Sequence, residues 1–416
     1  MKQSAPYLSS MSFRKSAGIF SRPLSSTRAG ACPIKTFSSI VPIQRPFLPL
    51  FSTYVHKFPL IVTLVLLGSC ISVNPRPHRG RELRGLWVAT VNNGDWPSRR
   101  DLSSDQQKQE LIAILDRAAA VHVNAIFLQV RPMADAFYPS ALEPWSQFLG
   151  ATPDYDPLAF AVQEAHARGL ELHAWFNPFR GNPTTALRAY NYGRFVWMDP
   201  GDEAVRQRAL DVISDVVRRY DIDGVHLDDY FYPYPENNGD FPDEPSWQNY
   251  RGRLSRDAWR RDNINRFVRD LYASVKAIRP NVEVGISPFG IWRPRHPRQI
   301  RGFDAYAKIY ADSKLWLQEG WVDYLAPQLY WPIEKREQSF PALLHWWSRQ
   351  DIRGRGIVTG ISINRPATRA EIARQLALVR DERQSVGFIL FSAHTIMQNP
   401  DEFDDVLARA IGRLSP

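Results

Sequence analysis

Two adjacent carboxylates close a short apolar run near the middle of the chain, where residues 221–233 read DIDGVHLDDYFYP. Val225 and Leu227 alternate with His226 and Asp228 at the two-residue period of a strand. The run then ends on Asp228, Asp229, Tyr230, Phe231 and Tyr232 before Pro233 stops it. A strand that finishes on charge instead of turn residues delivers that charge where the chain leaves the core. Paired acids can give and take the protons of glycosidic cleavage, and flat aromatic faces suit sugar rings. A helix-capping aspartate in a solvated turn would account for the acids, but not for three consecutive rings.

The elements that must position these residues follow a regular alternation from Arg84 onward. Strand patterns fall at 86–91, 125–131, 171–177, 224–228, 282–287, 322–330, 357–363 and 388–393. Helical patterns fall at 105–121, 157–168, 202–220, 262–278, 303–318, 339–350, 369–381 and 400–413. Eight strands, each followed by a helix, predict an α/β fold of the (β/α)8 TIM-barrel type in one catalytic domain over residues 82–416. An open doubly wound sheet is the alternative, weakened because no glycine-rich phosphate turn follows any strand.

Period-two parity then says which side chains share a space. Phe127, Gln129 and Arg131 oppose Ile126, Leu128 and Val130. His173, Trp175 and Asn177 oppose Leu172, Ala174 and Phe176, and Gln328 and Tyr330 oppose Leu325 and Leu329. The apolar sets are expected under the helices, leaving Arg131, Asn177, Asp228, Gln328 and Tyr330 at the C-terminal mouth, where barrel enzymes keep their chemistry. Long aromatic loops follow several strands: Tyr138, Glu143 and Trp145 after the second, Tyr234, Asp240, Asp243 and Glu244 after the fourth, Trp292 after the fifth, Trp331 and Glu334 after the sixth. With Trp175, His226 and Tyr232 they form a candidate groove for successive sugar units.

Charge divides the chain. The 416 residues carry a net charge of +9, yet the first 81 hold eleven Lys/Arg and no Asp or Glu. Residues 82–416 therefore hold 41 basic and 43 acidic side chains, a net of −2. The basic excess belongs to the front segment, and no nucleic-acid partner is expected. Residues 58–68 (FPLIVTLVLLG) form an uncharged run of eleven behind His56 and Lys57, too short to span a bilayer and suited to a signal peptide. It runs into Leu67-Gly68-Ser69-Cys70, which resembles a bacterial lipoprotein signal with Cys70 as the lipid-bearing first residue. Residues 55–70 are thus expected to be the signal, 71–81 a linker, and 1–54 an extension ahead of a true start near Val55. Only Cys32 and Cys70 are present, so neither an internal disulfide nor a cysteine-based metal cluster is expected. No cofactor is expected either.

Five segments taken together resemble one family: RELRGLWVATVNNGDWP (81–97), QVRPMADAFYPSALEPWSQFLG (129–150), AWFNP (174–178), DGVHLDDYFYP (223–233) and APQLYW (326–331). They are similar, in order, to the glycosyl-hydrolase-like 10 family. The resemblance implies a (β/α)8 barrel that hydrolyses glycosidic bonds. For lipoprotein members it implies bacterial cell-wall glycan as substrate, particularly strands stripped of stem peptides, and hence an envelope location. Ile71 is not the aspartate that marks inner-membrane retention in many bacteria, so an outer-membrane anchor with the barrel in the periplasm is expected.

The mechanism stays open at this level. Parity puts Asp228 and Asp229 on opposite sides of a strand, so a second acid is sought elsewhere, with Glu143 leading and Glu244 and Glu334 behind it. A substrate-assisted route is the alternative, with the N-acetyl group as nucleophile and an acidic neighbour and Tyr330 positioning it. Two other functions compete: a non-catalytic glycan-binding lipoprotein, and a metal-dependent amide or ester hydrolase built on His173, His226, Asp228 and His394. The second lacks His-x-His and His-Glu-x-x-His patterns. The oligomeric state is not legible.

Overall fold

The computed structural model describes residues 81–398 apart from 182, 237–238 and 365–368, together with 403, 406 and 407. Cys70, the signal run and the linker lie outside the described residues, as does most of the helix expected at 400–413.

Eight parallel strands close into a barrel. They are β1 (Leu83–Val88), β2 (Ala125–Arg131), β3 (Glu171–Phe176), β6 (Gly224–Leu227), β7 (Glu283–Ile286), β8 (Tyr324–Leu325), β9 (Ile357–Ser362) and β10 (Ser385–Phe391). Their order around the barrel is β1-β10-β9-β8-β7-β6-β3-β2. The intervening β4 (Ala189–Tyr192) and β5 (Phe195–Met198) form a separate antiparallel hairpin. The chain thus builds the expected TIM barrel. The first strand starts three residues before its expected position, and Val91 lies in a 3-10 turn. The sixth barrel strand, expected over 322–330, shrinks to two residues, with Gln328 rejoining the sheet by single bridges to Phe289 and Gly360. Pro327, which has no N–H to give a ladder, lies in that gap.

The helices start where the sequence supplies caps. Ser103 and Gln106 form a capping box ahead of α1 (Ser104–Ala120), and Asp156 caps α2 (Pro157–Ala167) with Pro157 in its first turn. In α3 (Glu203–Arg219), Val205, Ala209, Ile213 and Val216 recur on one buried face. The ring continues with α4 (Glu244–Asn249), α5 (Arg256–Ile278), α6 (Ala305–Lys308), α7 (Ser313–Glu319), α8 (Phe340–Gln350), α9 (Arg369–Asp381) and α10 (Ala393–Gln398). Beyond it, Phe403, Val406 and Leu407 are helical and buried.

Parity separates two cores as expected. Ile126, Leu128 and Val130 join the large cluster between sheet and helices. Phe127, Trp87, Trp175, Tyr324, Val358 and Ile389 form a smaller cluster inside the barrel. This interior is filled, as barrel interiors are. It admits large rings because facing positions are glycine: a Cβ on Gly224 would lie 2.1 Å from His173 Nδ1, and one on Gly285 would lie 1.9 Å from Tyr324 Cζ. Inside, the Tyr324 hydroxyl meets His173 Nδ1 at 3.1 Å and His226 Nδ1 at 3.0 Å.

Candidate active site

β6 ends at Leu227, so Asp228 and Asp229 lie beyond the strand, where period-two alternation no longer applies. Their carboxyls meet different partners, Asn177 and the Tyr230 N–H for Asp228, Tyr234 and Gln328 for Asp229. Both carboxyls are buried at the C-terminal mouth, and the charge of Asp228 acts on Asp229.

Asp228 terminates a relay of side-chain amides running across neighbouring strands. Gln129 on β2 accepts the Thr90 and Val91 N–H groups at 2.9 Å each. Its Nε2 then donates to Asn177 Oδ1 at 2.6 Å, where Arg180 Nη2 also donates at 2.9 Å. With its oxygen taken by two donors, Asn177 turns its NH2 to Asp228 Oδ2 at 2.5 Å. Tyr230 N–H reaches the other oxygen at 3.3 Å. Burial pushes the Asp228 carboxyl upward, while the nearby Arg180 guanidinium and the Asn177 amide pull it back toward the ionised form. The Trp175 indole N–H is buried without a hydrogen-bond partner of good geometry and lies close enough to favour that anion too.

Asp229 faces different groups. Tyr234 OH donates to its Oδ2, and Gln328 Nε2 donates to Oδ1 at 3.3 Å while also bonding Ser287 O at 2.9 Å. Burial and the charge of Asp228 push Asp229 up to about 7. The Tyr234 phenol is driven well above its ordinary value by burial and by Asp229, so it remains a donor. Burial thus raises both acids, Asp229 to about 7, while the Arg180 guanidinium and the Asn177 amide oppose the rise at Asp228 alone.

The other expected site residues separate into three groups. Trp175, Gln328 and Tyr330 stand with the acids on the barrel side of the mouth; Tyr330 is half-buried and stacks on Phe391 at 5.8 Å. Trp331 borders them through Phe289, whose ring also packs on Tyr234. A second group supports loops. Arg131 bonds Asn177 O at 2.7 Å and Glu143 at 2.8 Å, with both ion-pair partners buried. Glu143 is therefore placed as the anchor of the loop after β2, in which Trp145 bridges back to Ala136. Tyr138 is buried against Tyr220, Tyr232 against Phe241 and Tyr310, and Trp292 stacks on Trp346 while bonding Asp312 at 3.1 Å. Tyr138 and Tyr232 are buried in these contacts, while Trp292 is half-buried. Third, His226 lies below the mouth: it is fully buried, with Nε2 at 3.1 Å from Ser287 Oγ, and burial beside His173 holds its imidazole well below the usual range.

The remaining expected acids and histidines do not join the pair. Glu244 and Glu334 are exposed and pair with Arg256 and Arg374. His394 is exposed, with its backbone N–H on Asp95. Among the described residues, no three His, Cys, Asp or Glu side chains come together to hold a metal ion.

Sequence reasoning missed Arg180, Gln129 and the β4–β5 hairpin. Gln129 shares the parity of Arg131, which was a usable signal. Arg180 follows the strand and had none: it is buried between the Phe195 and Tyr230 rings, with its guanidinium carbon 5.6 and 5.2 Å from their centres. The hairpin did carry a signal, since alternating aromatics flank Gly193-Arg194.

A barrel with two adjacent carboxyls buried at its mouth agrees with what the chain matches. The glycosyl hydrolase-like 10 family model matches residues 82–374. The chain belongs to this family. It is 39% identical to the glycosyl hydrolase YngK of Bacillus subtilis (strain 168), over 84% of this chain and 76% of that one. It is 34% identical to the glycosyl hydrolase DigH of Escherichia coli (strain K12), over 70% of this chain and 78% of the other. The fold resembles the glycoside hydrolase domain of PgaB from Bordetella bronchiseptica (TM-score 0.56, 13% identity, 79% of this chain and 99% of that one). It also resembles an endo-beta-1,4-mannanase from Thermotoga petrophila (TM-score 0.52, 11% identity, 80% and 78%). Membership of a glycoside-hydrolase family with this barrel implies a polysaccharide substrate.

Proposed function

We propose that this glycosyl hydrolase-like 10 protein cleaves glycosidic bonds in bacterial cell-wall glycan, preferring peptide-free strands, from a lipid anchor on Cys70 at the outer membrane. The observation that carries the chemistry is the buried Asp228–Asp229 pair with unlike hydrogen-bond partners. Glu143, closed off by Arg131, is poorly placed to protonate a leaving group. The reaction is then substrate-assisted. The acetamido oxygen attacks the anomeric carbon as its bond to the leaving oxygen breaks, and Asp229 gives that oxygen its proton. Asp228, ionised, holds the acetamido N–H and balances the charge of the cyclic intermediate. Asp229, now a carboxylate, takes a proton from the water that reopens the ring. The Trp175 N–H, beside Asp228, adds a donor on the same side.

The test is digestion of peptide-free strands by the wild-type chain and by Asp228→Asn, with mass spectrometry of the products. Wild type is expected to release saccharides, and Asp228→Asn to lose about 10³-fold or more in rate with an unchanged melting transition. Pull-down of strands without any turnover would replace the enzyme with a glycan-binding protein.

A further inference from the structure

The loop after β7 carries four arginines and a histidine within residues 293–301 (RPRHPRQIR). The proposed mechanism uses none of them. This loop is stitched to the segment after β8: Arg301 N–H donates to Glu337 O at 2.8 Å, and Gln338 Nε2 donates to Arg301 O at 2.8 Å. Between the two segments lies an open cavity of about 430 Å³ lined by Arg298, Gln299, Arg301, Arg336 and Glu337. That size lies within the range of small-ligand clefts. Arg301 is partly committed, donating to the Arg298 and Ile300 carbonyls. Arg298 and Arg336 are exposed and form no ion pair among the described residues. Three guanidinium groups therefore share a cavity with one carboxylate.

The cavity is joined to the acids by a short run of rings. Phe303, two residues beyond Arg301, packs on Tyr234 at 5.0 Å and on Phe289 at 5.4 Å, and Tyr234 donates to Asp229. Trp331, ahead of Arg336, packs on the same Phe289 at 5.6 Å. These rings link Asp229, through Tyr234 and Phe303, to the segment that carries Arg301.

We infer that this cavity is a subsite for a carboxylate carried by the glycan, namely the lactyl acid of a muramic residue a few sugars from the cleavage point. The inference rests on the proposed function. A planar guanidinium matches a carboxylate in bidentate fashion, and free guanidinium groups beside a mouth steer an acidic chain toward it.

The test measures binding and cleavage separately, using the wild-type chain and the double variant Arg298→Ala/Arg336→Ala, with melting curves as a folding control. Three ligands are compared: peptide-free strands, the same strands with their lactyl acids converted to amides, and a teichoic-type phosphate polymer. The double variant is expected to bind acidic strands about five- to ten-fold more weakly at low salt. The difference should vanish on amidated strands and shrink as salt is raised. Equal binding of acidic strands by both proteins overturns the subsite, and so does an equal loss on amidated strands. Arginine-dependent binding that favours the phosphate polymer overturns its assignment to a carboxylate. Cleavage by wild type beside Asp228→Asn is measured in parallel. Its failure removes the proposed function, while the binding comparison still decides the cavity.

Discussion

Asp229 is the residue at which the chemistry and the stability of the protein meet. Its folded value, pushed to about 7, lies above the ordinary 3.8 of an exposed aspartate. The folded state therefore binds the proton more tightly than the unfolded chain does. Its contribution is full below the unfolded value and is lost as pH rises through about 7. Activity should fall above neutrality as Asp229 deprotonates, and fall again in acid as Asp228 gains a proton. A pH–rate profile on peptide-free strands reads both limbs. Asp229→Asn, which cannot ionise, should melt at least about 2 °C above wild type at pH 8 and show a smaller difference or none at pH 5. Glu143 leads to a different expectation. Glu143→Gln leaves the buried Arg131 guanidinium without its counter-charge, a loss of about 3–5 kcal/mol. Chemical denaturation measures that loss. Any decrease in rate should be equal for natural substrates and for activated aryl glycosides, whose leaving groups need no proton. A smaller loss on the activated substrate would restore Glu143 as the acid.

At the scale of elements, the loop that supplies Tyr234 to Asp229 is pinned at its far end by Asp243. This buried carboxylate accepts Arg260 Nε and Nη2 at 2.7 Å each and Arg256 Nη2 at 2.5 Å. Asp243→Ala should cost about 3–5 kcal/mol, because buried Arg260 loses its buried counter-charge and keeps only the exposed Asp240, and Arg256 keeps only the exposed Glu244. It should also raise KM more than it lowers kcat and speed proteolytic cutting within 234–255. A proteolysis pattern identical to that of wild type would show that the loop is held elsewhere. The strand periods made the barrel and the inward set of Phe127, His173, Trp175 and Gln328 legible in the sequence. At Asp229 the period alone does not name the partners, because Tyr234 comes from the following loop and Gln328 from beyond β8. Tyr138, Tyr232 and Trp292 show the other limit: an aromatic in a long loop reads alike whether it meets sugar or another ring. Arg180 was hidden for a related reason. It lies three residues past Asn177, and only the path of the loop turns its guanidinium back onto that side chain.

For the molecule as a whole, the sharp charge boundary near residue 81 separates a basic front from a nearly neutral barrel. Among the described residues no helix is long and apolar enough to cross a membrane; the proposed function places the attachment at Cys70. In a lipoprotein-competent host, wild type should incorporate a fatty-acid analogue and Cys70→Ala should not; unchanged labelling of the variant would remove the anchor.

The aromatic and histidine filling of the barrel makes it a vessel with one door. Phe127, His173, His226 and Tyr324 close the passage beneath the acids, and each is fully buried. In the proposed reaction, sugar and water meet the acids from the open face above these rings. A proton that Asp229 gives to the departing sugar in the proposed reaction is there replaced by the water that follows it. The space left by that sugar is then the water's approach. Attack from the side of departure makes each catalytic cycle a queue at a single opening.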